Sequence, residues 1–574
     1  PMVDAATGCA IAFNGEIYNY RSLQTELVND GVVFSTTSDT EVLLQLLIRD
    51  GEACLDRLEG MFAFAFWDAR SSHMLLARDR FGEKPLFTST LADGTLVAAS
   101  EPSVLAESLS PSSGISDRGL GQFLALGYTL GEDTLWSNIR RLRPGHVLER
   151  SERGIRIKRF ADVVDGSTGP TLLGRPTEYR IGRILDESVE SELVSDVPIG
   201  VFLSGGIDSS LVAAAAAHAR PDRPIQAFGL GFGDPEFDET TEARRFAEAN
   251  GIAFHREQLE LGGDDFEVSI RWAAREPIAD SSMLPMWLLA RFARQHVTVA
   301  LSGDGGDELF GGYETYVATQ LHQHLRHLPP FIVSALRYMA NTLVPVRHGK
   351  VGIDYKLRQF LDGLHLAPSR AHHHWRLLFS RTALASLMNP DAREWVAASE
   401  GLDEFERAWN ECPDTDPIAR AMYTDMHTWL PCDILVKVDR ATMAHSLESR
   451  APFLHPRMAS AAWSLTRRER VSGRKTKIVL RRLAARRLGI EVAGRPKRGF
   501  NAPVSRWFAD EGLSFAQARL ATPSMRQLFR PEALDCLIRE HTARRNDHGY
   551  RILALCVLAE WLHGVGSSQG STHK

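Results

Sequence analysis

Two glycine-rich loops carry the residues best suited to chemistry. The first, Leu203-Ser204-Gly205-Gly206-Ile207-Asp208-Ser209-Ser210, follows the apolar run Val197 to Leu203 and opens a helix that continues through Leu211 to His218. Glycines let backbone N–H groups approach an anion, Ser209 and Ser210 are expected to cap the helix, and the helix dipole favours negative charge. The loop therefore reads as a phosphate site. Asp208 would repel phosphate unless a cation lay between them, which predicts a Mg²⁺ ligand. The second loop, Leu301-Ser302-Gly303-Asp304-Gly305-Gly306-Asp307-Glu308-Leu309-Phe310-Gly311-Gly312-Tyr313, follows the run Val297 to Leu301 and places three carboxylates in one turn. Like charges raise one another's pKa, so this turn calls for a metal or a cationic partner. Each loop alone could be an ordinary surface turn; the two together weaken that reading.

These loops need a scaffold that brings strand ends together. Strand Val197 to Leu203, helix Ser209 to Ala219, strand Ile225 to Leu230, helix Glu239 to Asn250, strand Ile252 to Phe254 and strand Val297 to Leu301 alternate as parallel α/β units. Such sheets bind ligands at the carboxyl ends of their strands, where both loops fall. From Tyr316 onward the chain reads mainly helical, ending in the periodic helix Tyr550 to Leu562. Upstream, Met61 to Trp67, Met74 to Ala77, Thr95 to Ala99 and Val147 to Ile157 read as strands of a sheet-rich domain, and the polar stretch Asp165 to Pro170 separates the two parts. The predicted divisions are a first domain over 1–165, a linker over 166–176, a second domain over 177–565 and a flexible tail over 566–574. A chain of 574 residues, 44% hydrophobic and 24% charged, suffices for two globular cores. The net charge of -6 gives no general reason to expect nucleic acid, and six cysteines without CxxC spacing fit reduced thiols. With no signal peptide at the start and no apolar run of membrane-spanning length, no membrane partner is expected and the cytoplasm is the expected location.

The two loops, with Lys437-Val438-Asp439-Arg440 and Ser446-Leu447-Glu448-Ser449-Arg450-Ala451-Pro452-Phe453-Leu454, strongly resemble the glutamine-hydrolysing asparagine synthetases. Asn14-Gly15-Glu16-Ile17-Tyr18-Asn19 and Ser38-Asp39-Thr40-Glu41 resemble the glutamine-binding segments of that family's amidotransferase domain. The resemblance implies a partial Ntn-hydrolase-type αββα sandwich, followed by a Rossmann-like parallel-sheet ATP-pyrophosphatase domain with a helical carboxyl-terminal part. It implies an enzyme that makes ammonia from glutamine, activates a carboxylate with ATP and Mg²⁺ as an acyl-adenylate, and releases pyrophosphate, AMP and an amide. Carried over residue by residue, Leu203 and Leu230 would contact adenine or ribose; Ser204, Gly205, Gly206, Asp208 and Ser209 would hold the pyrophosphate end of ATP; Ser302 and Gly303 would complete the nucleotide site. Asp208 and Asp307 would share Mg²⁺, Lys477 would stabilise the α-phosphate during adenylation, and Tyr313 and Asp439 would stand at the mouth of the site. Asn14, Gly15, Glu16 and Asp39 would bind glutamine. Family members are often dimers, so a homodimer is a possible assembly.

Two departures from the family matter. Its glutaminase nucleophile is an amino-terminal cysteine whose own amine takes the proton, whereas this chain begins with Pro1, and Cys9 and Cys54 lie within it. The glutamine-binding segment also arrives early, as though the first strands were missing. Two explanations stand open, a fragment or wrongly started gene and a genuine loss of glutaminase activity; the retained Asn14, Gly15, Glu16 and Asp39 favour the fragment. Asp304 replaces a glutamate that assists the intermediate and incoming ammonia in several asparagine synthetases. Related amidotransferases of cell-surface and secondary-metabolite pathways carry aspartate there, so a larger carboxylate is the alternative acceptor to aspartate.

Other runs have plainer readings. His322, His324 and His327 are expected on a solvated helix, and His372-His373-His374 as a chance surface run, in preference to metal sites. The basic stretch from Arg467 to Arg498 lacks interleaved aromatics and reads as a solvated helix with one or two catalytic cations. A non-enzymatic relic that binds ATP or glutamine without turnover is the third reading, and the acidic pair Asp208 and Asp307 argues against it.

Overall fold

The computed structural model describes all residues except 110–113, 165–175, 233–237, 260–262, 344–352, 393–399, 497–498, 500 and 571–574. Its amino-terminal part is built on an antiparallel sheet of β1 (Met2–Val3), β2 (Ala10–Ile17), β3 (Gly60–Asp68), β4 (His73–Arg78), β8 (His146–Ser151) and β9 (Gly154–Arg159), in that spatial order. A second sheet has the order β6 (Leu96–Ala99), β5 (Phe87–Thr90), β7 (Arg140–Arg141). Alternation along β3 decides the layering. Phe62, Phe64 and Phe66 face a core shared with Leu23, Leu27, Leu43 and Leu47 of the helices Tyr20–Asn29 and Asp39–Asp50, whereas Ala63 faces Leu86 and Leu142, which flank strands β5 and β7 of the second sheet. Burying each phenylalanine stabilises this sandwich by about 2–3 kcal/mol. The helices Pro102–Leu109 and Asp117–Leu126 cover the far side of the second sheet through Leu105, Leu120 and Phe123 against Phe87, completing four layers in the order helix, sheet, sheet, helix.

The second part centres on a parallel sheet in the order β12 (Ala253–Leu259), β11 (Gln226–Phe232), β10 (Ile199–Phe202), β13 (Val299–Leu301), β14 (Glu448–Arg450). Its three central strands β10, β11 and β13 are buried on both faces, as parallel sheets require, while the edge strands β12 and β14 are partly exposed. Ile199, Val201 and Leu301 pack with the helices Thr177–Glu192 and Ile207–Ala219, while Phe202, Phe228 and Ala300 pack with Met283–Ala293 and Gly549–Gly570. The latter core is continuous with the outer helices of the sandwich, where Trp136 and Trp561 meet edge to face at 5.3 Å.

The fold class is that expected, with several local corrections. The helix after the first loop begins at Ile207 with Gly206 as its N-cap, so Ser209 and Ser210 lie inside the first turn and do not cap it. The segment around Glu448 forms the edge strand β14, inside a region read as helical. His372 and His373 are buried, because the helix Pro368–His374 packs against Leu402–Glu411 and Pro417–Thr428. His322 is also buried, with Nε2 3.2 Å from the Leu366 carbonyl, whereas His324 and His327 are exposed. The basic stretch is broken into short helices, with Lys477 and Arg470 buried, and its Lys497 and Arg498 lie outside the described residues. The expected linker falls almost wholly outside them too, as do the last four residues of the expected tail, whose earlier part belongs to the helix Gly549–Gly570. All six cysteines are free, and among the described residues no helix is long and apolar enough to cross a membrane.

Candidate active site

Both glycine-rich loops leave the carboxyl ends of neighbouring strands, β10 and β13, which pair in register Val201 with Leu301. Leu203 extends β10 by donating its N–H to the Phe228 carbonyl at 2.9 Å, and the chain then turns through Gly205 at φ +77°, a conformation that favours glycine. Ser204 Oγ lies 3.1 Å from Ser209 Oγ and accepts from the Gly206 N–H at 3.3 Å. Arg495 donates to the Gly205 carbonyl at 2.6 Å, adding a cation beside the loop. The acidic loop lies directly on Asp208: a Cβ on Gly306 would come within 3.0 Å of the Asp208 carboxyl carbon. A side chain there would have to push the Asp208 carboxylate aside by a few tenths of an ångström.

Lys477 joins them. It precedes the helix Ile478–Arg487 at φ +53°, a conformation costing a non-glycine residue about 1 kcal/mol or more, and is 3% exposed. Its ammonium pairs with Asp208 Oδ2 and, at 2.6 Å, with Asp307 Oδ1. The acidic turn thus has the cationic partner it requires. Glu308 is answered differently: Tyr313 donates its hydroxyl to Glu308 Oε1 at 2.6 Å, and Trp429 Nε1 donates to the Tyr313 hydroxyl at 3.3 Å. Burial first, and the Asp307 charge second, push the Glu308 carboxyl up to about 7. Asp208 Oδ1 is buried without a hydrogen-bond partner among the described residues. Two carboxylates converging on one ammonium, with an Asp208 oxygen left unused, fit a hard divalent cation that takes one or two protein carboxylates. No protein-only cluster of three or more His, Cys, Asp or Glu side chains suited to a metal occurs among the described residues.

A second set of charges lines the junction between the two parts of the molecule. Lys84, 4% exposed, reaches Asp439 Oδ1 at 3.5 Å, and Lys437 pairs with Asp280 at 3.0 Å. Burial opposes the charge on Lys437, but Asp280, Asp433 and, more weakly, Asp304 outweigh it and raise its pKa, so Asp304 acts on this set. Arg440 pairs with Glu276 at 2.6 Å and donates to the Ser100 carbonyl at 3.0 Å. Asn14 Nδ2 donates to Ser100 Oγ at 3.3 Å, so one serine touches both parts. Gly15 and Glu16 follow on β2, where Gly15 pairs with Phe62. Glu16 Oε2 accepts from Arg450 at 3.1 Å, and burial lifts its carboxyl to about 7 although Arg450 opposes the shift. Asp39 Oδ2 accepts from the Ile17 N–H at 2.9 Å, which binds the expected glutamine segments to each other.

The structure therefore gathers the expected residues into two groups, Asp208, Asp307 and Lys477 with their loops, and Asn14, Glu16 and Asp39 some distance along the chain. Leu230 lies on β11, next to the strand that feeds the first loop. Lys84, Glu308, Lys437, Arg440 and Arg450 carry no role in the sequence reading. Four of these, all but Lys84, lie within its quoted motifs, and for the three cations among them the signal that could have found them is a basic side chain retained in a segment otherwise composed for burial.

Two family models match: asparagine synthase over residues 180–563 and the glutamine amidotransferase domain over residues 1–161. A Mycobacterium tuberculosis protein provisionally named asparagine synthetase [glutamine-hydrolyzing] is 34% identical over 96% of this chain and 84% of its own. Asparagine synthetase [glutamine-hydrolyzing] 1 of Bacillus subtilis is 29% identical over 96% of this chain and 85% of its own. The matches span both glycine-rich loops and the glutamine-type segments, and the chain belongs to the glutamine-hydrolysing asparagine synthetase family.

Proposed function

We propose that the chain catalyses ATP-dependent amide formation, making asparagine from aspartate with nitrogen from glutamine or ammonia. The observation that carries this reading is the Lys477 ammonium held between Asp208 of the first loop and Asp307 of the second, at the carboxyl ends of adjacent parallel strands. ATP would lie along the first loop, with its phosphates over the N-terminus of the helix Ile207–Ala219 and its adenosine toward Leu203 and Leu230. The aspartate carboxylate attacks the α-phosphorus, pyrophosphate leaves, and ammonia then attacks the activated carbonyl to release AMP and asparagine. Lys477 is placed to stabilise charge that grows on the α-phosphate, an interaction stronger in the transition state than in the ground state.

Asp208 and Asp307 would hold Mg²⁺, which when bound supplies positive charge to the pyrophosphate oxygens. Lys84, Lys437 and Asp439 at the junction would orient the acceptor and keep water from the adenylate. ATP–pyrophosphate exchange tests the adenylation half alone. Exchange that requires both aspartate and Mg²⁺ is expected; exchange absent with aspartate but present with a larger carboxylate would replace the acceptor while leaving the chemistry intact.

A further inference from the structure

Arg450 occupies an unusual place in this arrangement. Its side chain is 3% exposed, and its guanidinium is committed to four acceptors: Glu448 Oε1 at 2.7 Å, the Glu192 carbonyl at 2.7 Å, the Val194 carbonyl at 2.8 Å and Glu16 Oε2 at 3.1 Å. Three of these belong to the synthetase part and one to the amidotransferase part. The main chain of the same residue faces the other way. Arg450 pairs with Leu301 across β13 and β14, and its carbonyl accepts from the Ser302 N–H at 2.8 Å. Ser302 Oγ in turn accepts from the Asp304 N–H at 3.4 Å. A single residue thus grips Glu16 with its side chain and the head of the acidic loop with its backbone.

β14 has three residues and one neighbouring strand, so its own ladder fixes it weakly. The guanidinium, held by four acceptors, adds a further anchor to its backbone. We propose that Arg450 is a positioning residue shared by the two sites, through which the charge or ligation of Glu16 is felt at the nucleotide loop. This rests on reading the two loops as the ATP site. A primary ammonium arriving at Glu16, such as the α-amino group of an amino acid, competes with Arg450 for the carboxylate, and the guanidinium then redistributes among its remaining acceptors. Linkage makes the effect reciprocal: nucleotide bound at the loop alters how Glu16 holds an ammonium.

The test needs only ATP and Mg²⁺, with affinity measured by titration calorimetry on the full chain. Glu16→Gln removes the charge that Arg450 holds and touches no expected ATP contact. It is expected to change the ATP Kd by about threefold or more. Glu59→Gln serves as the control, because Glu59 also pairs across the junction, with His455 at 3.4 Å and Arg457 at 3.8 Å, but has no such tie to Ser302. It is expected to leave the Kd unchanged. In an Arg450→Lys background the effect of Glu16→Gln is expected to vanish, and if that background does not fold, the contrast between Glu16→Gln and Glu59→Gln decides. Equal affinity of wild type and Glu16→Gln overturns the proposal, as does an equal shift from both glutamate variants, which would make the effect a general loosening of the junction. Failure of the wild type to bind ATP would instead overturn the nucleotide site itself.

Discussion

The ammonium of Lys477 meets carboxylates from two different loops, so removing it takes away a cation and leaves two anions facing each other in a buried place. Lys477→Ala is expected to lower pyrophosphate formation at saturating ATP by about 100-fold or more, with the circular dichroism spectrum retained. A loss under tenfold would show that the lysine only balances charge. Tyr313→Phe acts differently, by leaving Glu308 without its hydroxyl donor; unfolding by urea should show about 1–3 kcal/mol less stability. Much of this was legible in the sequence: glycines that let loops approach phosphate, and acidic residues too crowded to stand without a cation. Which cation it would be could not be read from composition or spacing. Lys477 lies far along the chain from both carboxylates, and only the family resemblance pointed to it. The partnership of Glu308 with Tyr313 was equally hidden, since it depends on how the loop closes after Gly312.

At the scale of elements, the helix Pro368–His374 shows how a motif can mislead. Three consecutive histidines look like a solvated run, yet His372 Nε2 lies 2.8 Å from Asp425 Oδ1, and Arg376 donates to Asp425 Oδ2 at 2.5 Å. Arg376 also stacks over Trp429 at 4.2 Å, the residue whose indole reaches Tyr313. Asp425→Ala would leave Arg376 buried without its counter-ion, and equilibrium denaturation should show a loss of about 3–5 kcal/mol. Burial of this helix follows from two later helices that close over it, a nonlocal fact absent from its own sequence. The strand β14 escaped notice for a similar reason: three residues after a helix carry no alternating pattern, and pairing with β13 makes them a strand. The central parallel strands β10, β11 and β13 were legible because burial on both faces demands continuous apolar runs. Glu192, on the helix that covers this sheet, gives a pH prediction. Burial lifts its carboxyl from 4.5 to about 8, with Arg450 opposing and Glu448 reinforcing the shift. Between those values the native chain keeps a proton that the unfolded chain releases, so stability from this group is present at low pH and falls as pH rises through the window. Glu192→Gln is expected to gain stability over wild type by on the order of a few kcal/mol between pH 5 and pH 8, read by urea unfolding at both values. An unchanged difference at the two pH values would contradict the burial of an uncompensated carboxyl.

Across the whole molecule, the two parts meet through both apolar and ionic contacts. The core that holds Phe87 and Phe123 of the sandwich runs without interruption to Leu555 and Trp561 of the last long helix, and Lys84, Ser100 and Glu16 reach residues 439, 440 and 450. Calorimetry should therefore show one main unfolding transition, and two well-separated transitions would mean that the junction contributes little. The division into a sheet-rich first part and an α/β second part was legible from the change in periodicity. The junction was not, because it is made by side chains that each part contributes separately. Adenylation followed by amide formation at the Lys477 site is tested most directly by the stoichiometry of asparagine, AMP and pyrophosphate formed from ATP, Mg²⁺ and aspartate, with ammonium and with glutamine in parallel. Equal amounts of all three products with ammonium, lost in Lys477→Ala, is the expected result. Release of ADP and phosphate in place of AMP and pyrophosphate, or no asparagine with either nitrogen source from a chain that binds ATP, would contradict it.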